Sequence, residues 1–218
     1  MDKKKALQII VQAAGLYKTN LENRKVLFLY GVPSEVRRQI ESDMTTLSCI
    51  EYYEAAFRRA NFLHLTGVHF NPAQVKSAAH FYDKCISGRL SEKDFAMPSD
   101  GTADQKLDII ISMMSIHKTA TMIGNFTGIG PRLYSEKAAG NVFGCMGFVK
   151  DKHTGVNVPN TLLKKDIRDI TGEPKKKIFV TMIKPYADNK FKDVAKADKS
   201  IDFMTMRFCE DIEAMIER

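Results

Sequence analysis

From residue 119 onward the chain changes character, and that change constrains its fold most. The first part carries helix punctuation, whereas the second carries short β-like runs at residues 119–126, 132–135, 142–150 and 178–184, separated by glycine-rich or charged turns. Segregated helices and strands predict an α+β fold: N-terminal helices, a small sheet built largely by the later half, and a C-terminal helix. Leu7, Ile10, Val11 and Ala14 fall on one face of an amphipathic first helix. Residues 25–30 read as a strand ending at Gly31, and a short polar helix follows the Pro33 turn from near Ser34. Residues 47–53 scan as strand while 51–59 also scan as helix, and periodicity leaves both open.

Two helices have clean ends. One spans residues 72–87, with Asn71 as N-cap, Pro72 at the first helical position, Gly88 as the stop, and Val75, Ala79, Tyr82 and Ile86 as its apolar stripe. The capping box Thr102-Ala103-Asp104-Gln105 opens another that runs to about His117 and buries Leu107, Ile110, Ile111 and Met114. Asn160 or Thr161 caps a short helix through Ile170, and Ser200 opens a final helix carrying Phe203 or Met204, Phe208, Ile212 and Met215. The 218 residues contain no repeat and no low-complexity linker, so a single domain over 1–218 is expected.

The formal net charge of +7 is unevenly placed: residues 150–199 hold 13 Lys and Arg against 7 Asp and Glu. That bias suits a polyanion such as nucleic acid, and a solvated lysine-rich face explains it equally. Cys49, Cys85, Cys145 and Cys209 show no paired spacing, which suggests neither a zinc site nor a disulfide framework and fits a reducing cytoplasm. No stretch approaches the ~18 to 20 apolar residues needed to cross a bilayer.

Within Asn61-Phe62-Leu63-His64-Leu65-Thr66-Gly67-Val68, read as a buried strand, Phe62, His64 and Thr66 share one face. A buried imidazole is either a core histidine held by a backbone carbonyl or an acid–base group whose ordinary pKa of about 6.5 suits neutral pH. Thr66 could orient it or hydrogen-bond a phosphate. His69 and His80 read as surface residues, and His117 as a cation suited to a helix C-terminus. Lys76 and Lys84 share part of one helix face with His80, so they either line a cleft or are simply solvated. Thr161, Lys164, Lys165 and Arg168, at offsets of three and four on the expected helix start, form a candidate phosphate corner. Lys175, Lys176 and Lys177 extend that basic track toward Lys184. The glycines at 124, 128, 130, 140, 144 and 147 match no phosphate-loop fingerprint and read as turns and bulges.

Four segments carry a resemblance: Leu16-Tyr17-Lys18-Thr19-Asn20-Leu21, residues 61–67, His80-Phe81-Tyr82-Asp83-Lys84, and residues 159–167 from Pro159 through Lys164-Lys165-Asp166-Ile167. Together they resemble the phage-associated branch of the Barnase-EndoU-colicin-RelE-like (BECR) nucleases over residues 16–185. The resemblance implies a mainly antiparallel BECR-type sheet and metal-independent cleavage of RNA by 2′-hydroxyl attack, with no cofactor. It implies a cytoplasmic toxin or a phage or prophage effector, with RNA as substrate and an antitoxin, immunity protein or bacterial defence protein as partner. On that reading His64, Thr66, Thr161 and Lys165 are catalytic, and Lys76, Lys84, Lys164, Arg168, Lys175, Lys176, Lys177 and Lys184 hold nucleic acid. An alternative is a catalytically silent phage-encoded domain of the same fold that binds and inhibits a nucleic acid-associated or defence protein.

Overall fold

The computed structural model describes residues 1–42, 44–127 and 135–218. The chain begins with α1 (Lys3–Asn20), β1 (Arg24–Gly31), α2 (Pro33–Glu41), β2 (Glu51–Phe57), a 3₁₀ turn at Arg59–Asn61 and α3 (Phe62–Thr66). A two-stranded ribbon, β3 (His69–Phe70) with β4 (Phe95–Ala96), brackets α4 (Ala78–Ile86). There follow α5 (Thr102–Met113), α6 (Ile116–Thr119), β5 (Met122–Asn125), β6 (Lys137–Gly140), β7 (Cys145–Lys150) and β8 (Asn157–Leu163). The last elements are α7 (Ile167–Ile170), β9 (Lys177–Pro185), β10 (Asp193–Ala197) and α8 (Glu210–Met215).

Eight strands form one sheet in the order β2-β1-β9-β5-β6-β7-β8, with β10 also on β9, and each of its ladders is antiparallel. The sheet curls until its two ends meet, where the Asn157 side-chain amide donates a 2.9 Å hydrogen bond to the Glu54 carbonyl on β2. β1 lies between β2 and β9 and is apolar on both faces: Val26, Phe28 and Tyr30 pack under α1 and the α3–α6 layer, while Leu27 and Leu29 pack under α2 and the C-terminal segment. The fold is therefore α+β with helices on both sides of a curled antiparallel sheet, ending in a C-terminal helix.

Several local expectations are corrected. The strand expected over 62–68 is instead a helical turn at Phe62–Thr66, followed by Gly67 and Val68. Phe62, Leu65 and Thr66 are buried at spacings of three and four, and a segment this short satisfies the alternating and the helical pattern equally well. Asn61 starts the turn by accepting the Arg58 amide, and Gly67 ends it at φ +74°. The helix expected over 72–87 is shorter: Asn71 caps a single turn, and Ser77, in extended backbone, starts α4 by accepting the His80 amide at 3.1 Å.

The expected helix from Thr102 to His117 breaks at Met114–Ser115 into α5 and α6. The helix expected from Asn160 is instead β8, an end strand of the sheet order that tolerates Pro159 because an edge position can spare an amide. Asp166, not Asn160 or Thr161, caps the one-turn α7 by accepting the Arg168 amide. The final helix is confined to Glu210–Met215, while Ile201, Phe203 and Phe208 reach the core from turns. Glu51–Phe57 resolves the open choice between helix and strand in favour of strand. The strand expected at 132–135 lies outside the described residues except for Ser135.

Candidate active-site cleft

The turn of α3, the start of α5 and the middle of β8 enclose an open cleft of about 480 Å³. His64 comes from α3 and Gly67 directly follows it, Asp100 precedes α5, Thr102 and Lys106 lie in its first turns, Asn160 comes from β8, and His69 from β3. Asn160 and Lys106 are brought there by local rules. β8 carries a bulge between the pairs Gly147–Thr161 and Phe148–Pro159, which makes Asn160 the extra residue, the standard way for a sheet to re-aim one side chain. Asn160 Oδ1 accepts a 3.0 Å hydrogen bond from Ser135 Oγ. Ser135 can sit that close because Gly147 has no Cβ, which would come 2.5 Å from the hydroxyl.

Gly67 makes room for Lys106. A Cβ at this left-handed position would lie 2.8 Å from Lys106 Cδ, so the lysine stem lies across bare backbone. The Lys106 ammonium then donates a 3.0 Å hydrogen bond to the His64 carbonyl. Burial, only partly offset by the Asp100 carboxylate, brings its pKa down to about 8. His64 presents an exposed edge, but its ring sits among protein atoms; that desolvation, followed by the Lys106 charge, lowers its pKa below the ordinary histidine value. At pH 7 the pair is a neutral imidazole beside an ammonium. The first turn of α5 also borders the cleft, so the positive end of a helix dipole faces it, with Asp100 Oδ1 accepting the Thr102 amide at 2.9 Å. An anion, a base and an acid can all be accommodated here.

Only His64, of the four residues assigned a catalytic role from sequence, lines this cleft. Thr66 is fully buried; its hydroxyl donates to the Leu63 carbonyl at 2.7 Å and accepts from the Val68 amide, closing the helical turn. Thr161 is buried within β8, and Lys165 is exposed beyond the strand's end. The proposed phosphate corner also loses its helix N-terminus, because α7 is one turn long and starts five residues later.

Most of the nominated cations have partners. Lys84 pairs with buried Asp94, Lys164 with Asp108 at 2.9 Å, Arg168 with Asp166, Lys176 with Glu51, and Lys177 with Asp198 at 2.7 Å. Lys175 caps the carbonyls of Arg168 and Thr171. Lys184 is buried over the Phe191 ring and donates to the Asn189 carbonyl. Lys76 is exposed, with its backbone amide given to His80 Nδ1. The cation missed from sequence is Lys106, on α5 one turn after Thr102; the capping box expected there does not form, because Gly101 holds the N-cap position with no side-chain cap hydrogen bond. His117 is buried and uncharged rather than a helix-end cation, its pKa brought down to about 4 by burial and then by Lys118 and Arg24.

Among the described residues no group of three or more His, Cys, Asp or Glu is placed to hold a metal ion, and no helix is long and apolar enough to cross a membrane. Fold and cleft define an α+β protein with an imidazole–ammonium pair beside a helix N-terminus, an arrangement suited to phosphate-ester chemistry. Comparison with known families agrees: residues 9–200 match the family model described as phage-Barnase-EndoU-ColicinE5/D-RelE like nuclease 4. The chain belongs to that nuclease family, which implies a nucleic acid as substrate. No curated protein and no solved structure matches it.

Proposed function

We propose that the chain is a metal-independent endoribonuclease, serving as a toxin or phage effector, whose reaction takes place between His64 and Lys106. The observation that supports this reading is the meeting of these two titratable groups in one open cleft, bordered by the α5 N-terminus. Neutral His64 takes the proton from the ribose 2′-hydroxyl, and the freed oxygen attacks the adjacent phosphorus. As the P–O5′ bond breaks, Lys106 hydrogen-bonds the charged phosphorane and gives its proton to the departing O5′. The products are a 2′,3′-cyclic phosphate and a 5′-hydroxyl, with the proton balance carried by the pair. Asn160, in the lining of the same cleft, orients the phosphate.

The test is cleavage of an RNA oligonucleotide in EDTA, set against the same oligonucleotide with 2′-deoxy sugars throughout. Cleavage of the first to cyclic-phosphate ends, with the second untouched, is expected. Cleavage of both, or cleavage that EDTA abolishes, would rule the mechanism out.

A further inference from the structure

A second concavity is lined by Ala60, four residues before His64, and no expectation drawn from the sequence included it. Its volume is about 610 Å³, within the ordinary range of small-ligand sites, and its floor and rim are made by the small residues Ala60, Ala79 and Ala187. Three strand ends converge on it. Asn23, before β1, gives its amide to the Phe57 carbonyl at the end of β2 and accepts the Tyr186 amide just after β9. Asn23 does so in left-handed backbone at φ +55°.

The central group is Arg58, which is held at three points. Its carbonyl accepts the hydroxyl of buried Tyr17 at 2.9 Å, its amide donates to Asn61 Oδ1, and its guanidinium donates to Tyr186 Oη at 2.6 Å while lying 5.1 Å from that ring. The neighbouring cations are neutralised: Arg59 faces Glu22 and Asp83, and Lys25 pairs with Glu54 at 2.8 Å. Among the described residues no carboxylate lies within 4.0 Å of the Arg58 guanidinium. A fixed guanidinium with no countercharge, opening into a cavity, is a ready phosphate ligand.

The register between the two concavities is the second observation. Arg59 and Ala60 line this one, while Leu63, His64 and Gly67 line the catalytic cleft. Arg59 and Ala60 belong to the 3₁₀ turn, and Leu63 and His64 to α3, which follows it directly, so about four residues of helical backbone separate the two concavities. Four residues of 3₁₀ and α backbone advance about 6 to 8 Å, on the scale of one nucleotide of an extended single strand.

We infer that the Arg58 cavity is a nucleotide subsite, which takes the phosphate and base of a single-stranded nucleic acid next to the unit engaged at His64. The inference rests on the nuclease reading, and its test does not require cleavage. Binding of a labelled, all-2′-deoxy single strand of six nucleotides is measured by fluorescence anisotropy at 50 mM salt, beside the corresponding dinucleotide. The wild-type protein should hold the hexanucleotide more tightly than the dinucleotide. Arg58→Gln should weaken the hexanucleotide about tenfold and reduce the salt slope by about one, leaving the dinucleotide within twofold. Ala187→Glu, at an exposed rim position that anchors nothing, should act in the same direction by placing a carboxylate at the cavity. Hexanucleotide affinity unchanged in both variants, or equal losses for the two lengths, overturns the subsite. A protein that cleaves nothing but behaves as above would instead sink the catalytic proposal and leave the subsite standing.

Discussion

The ammonium of Lys106 on α5 donates a 3.0 Å hydrogen bond to the backbone carbonyl of His64 on α3. That bond joins two helices across a cleft and holds a cation at the backbone of the histidine. Burial lowers the pKa of both groups, and the lysine charge lowers that of the histidine further.

The pH dependence of cleavage follows from this pair. His64 must be unprotonated to act as base, so kcat/KM should rise with pH through a value below 6.5. Lys106 must be protonated to act as acid, so the rate should fall as pH passes about 8. Lys106→Arg keeps the charge but not the titration, and the alkaline limb should move upward by more than a unit. A rate profile from pH 5 to 10 checks both limbs, and an alkaline limb that stays in place in the arginine variant removes Lys106 as the acid.

Gly67→Ala should damage stability and chemistry together. The new Cβ must adopt a left-handed backbone and come 2.8 Å from Lys106 Cδ, at a cost of about 1 to 2 kcal/mol. Urea unfolding should show that loss, and kcat/KM should fall because the lysine is displaced. A variant as stable and active as wild type would mean that the lysine stem does not lie where it is placed.

Thr66→Val separates folding from catalysis. The hydroxyl donates inside its own helical turn and is sealed from the cleft, so its removal should cost about 1 to 2 kcal/mol of stability and leave kcat/KM of the folded enzyme within a few-fold. A loss of activity greater than a hundredfold with stability intact would return Thr66 to the chemistry.

What could be read from the sequence, and what could not, divides along physical lines. β1, whose apolar residues serve both faces of the sheet, and α1, with its long apolar stripe, carry enough pattern to be recognised locally. The 62–66 turn does not: five residues hold fewer than two helical periods, so burial of Phe62, Leu65 and Thr66 could not be told from alternation. Asn160 needed a bulge that exists only in pairing with β7, and Lys106 needed the glycine at position 67, far upstream in sequence. The lysines of the later half were legible as a basic composition, but their carboxylate partners at Glu51, Asp108 and Asp198 are set by tertiary structure. His64 stood out because a histidine in an apolar run is chemically conspicuous whichever backbone carries it, and the structure puts it in the lining of an open cleft.

Buried His117 gives a stability prediction. Its folded pKa of about 4 lies below the unfolded value of about 6.5, so the unfolded chain binds the proton more readily. Its contribution is complete above pH 6.5 and is lost as pH falls toward 4, by up to about 3 kcal/mol. Urea midpoints for wild type and His117→Gln at pH 7, 5.5 and 4.5 test the sign: wild type should lose more on acidification, and parallel losses would contradict it.

The central claim is that His64 is the general base of an RNA-cleaving cleft. Initial rates of cleavage of a single-stranded RNA in EDTA at pH 7, for wild type and His64→Ala, test it most directly, with circular dichroism and urea midpoints showing that both are folded. Because the imidazole edge is exposed, the variant should fold normally and lose at least a hundredfold in rate. A folded His64→Ala protein that cleaves RNA at the wild-type rate would contradict the account.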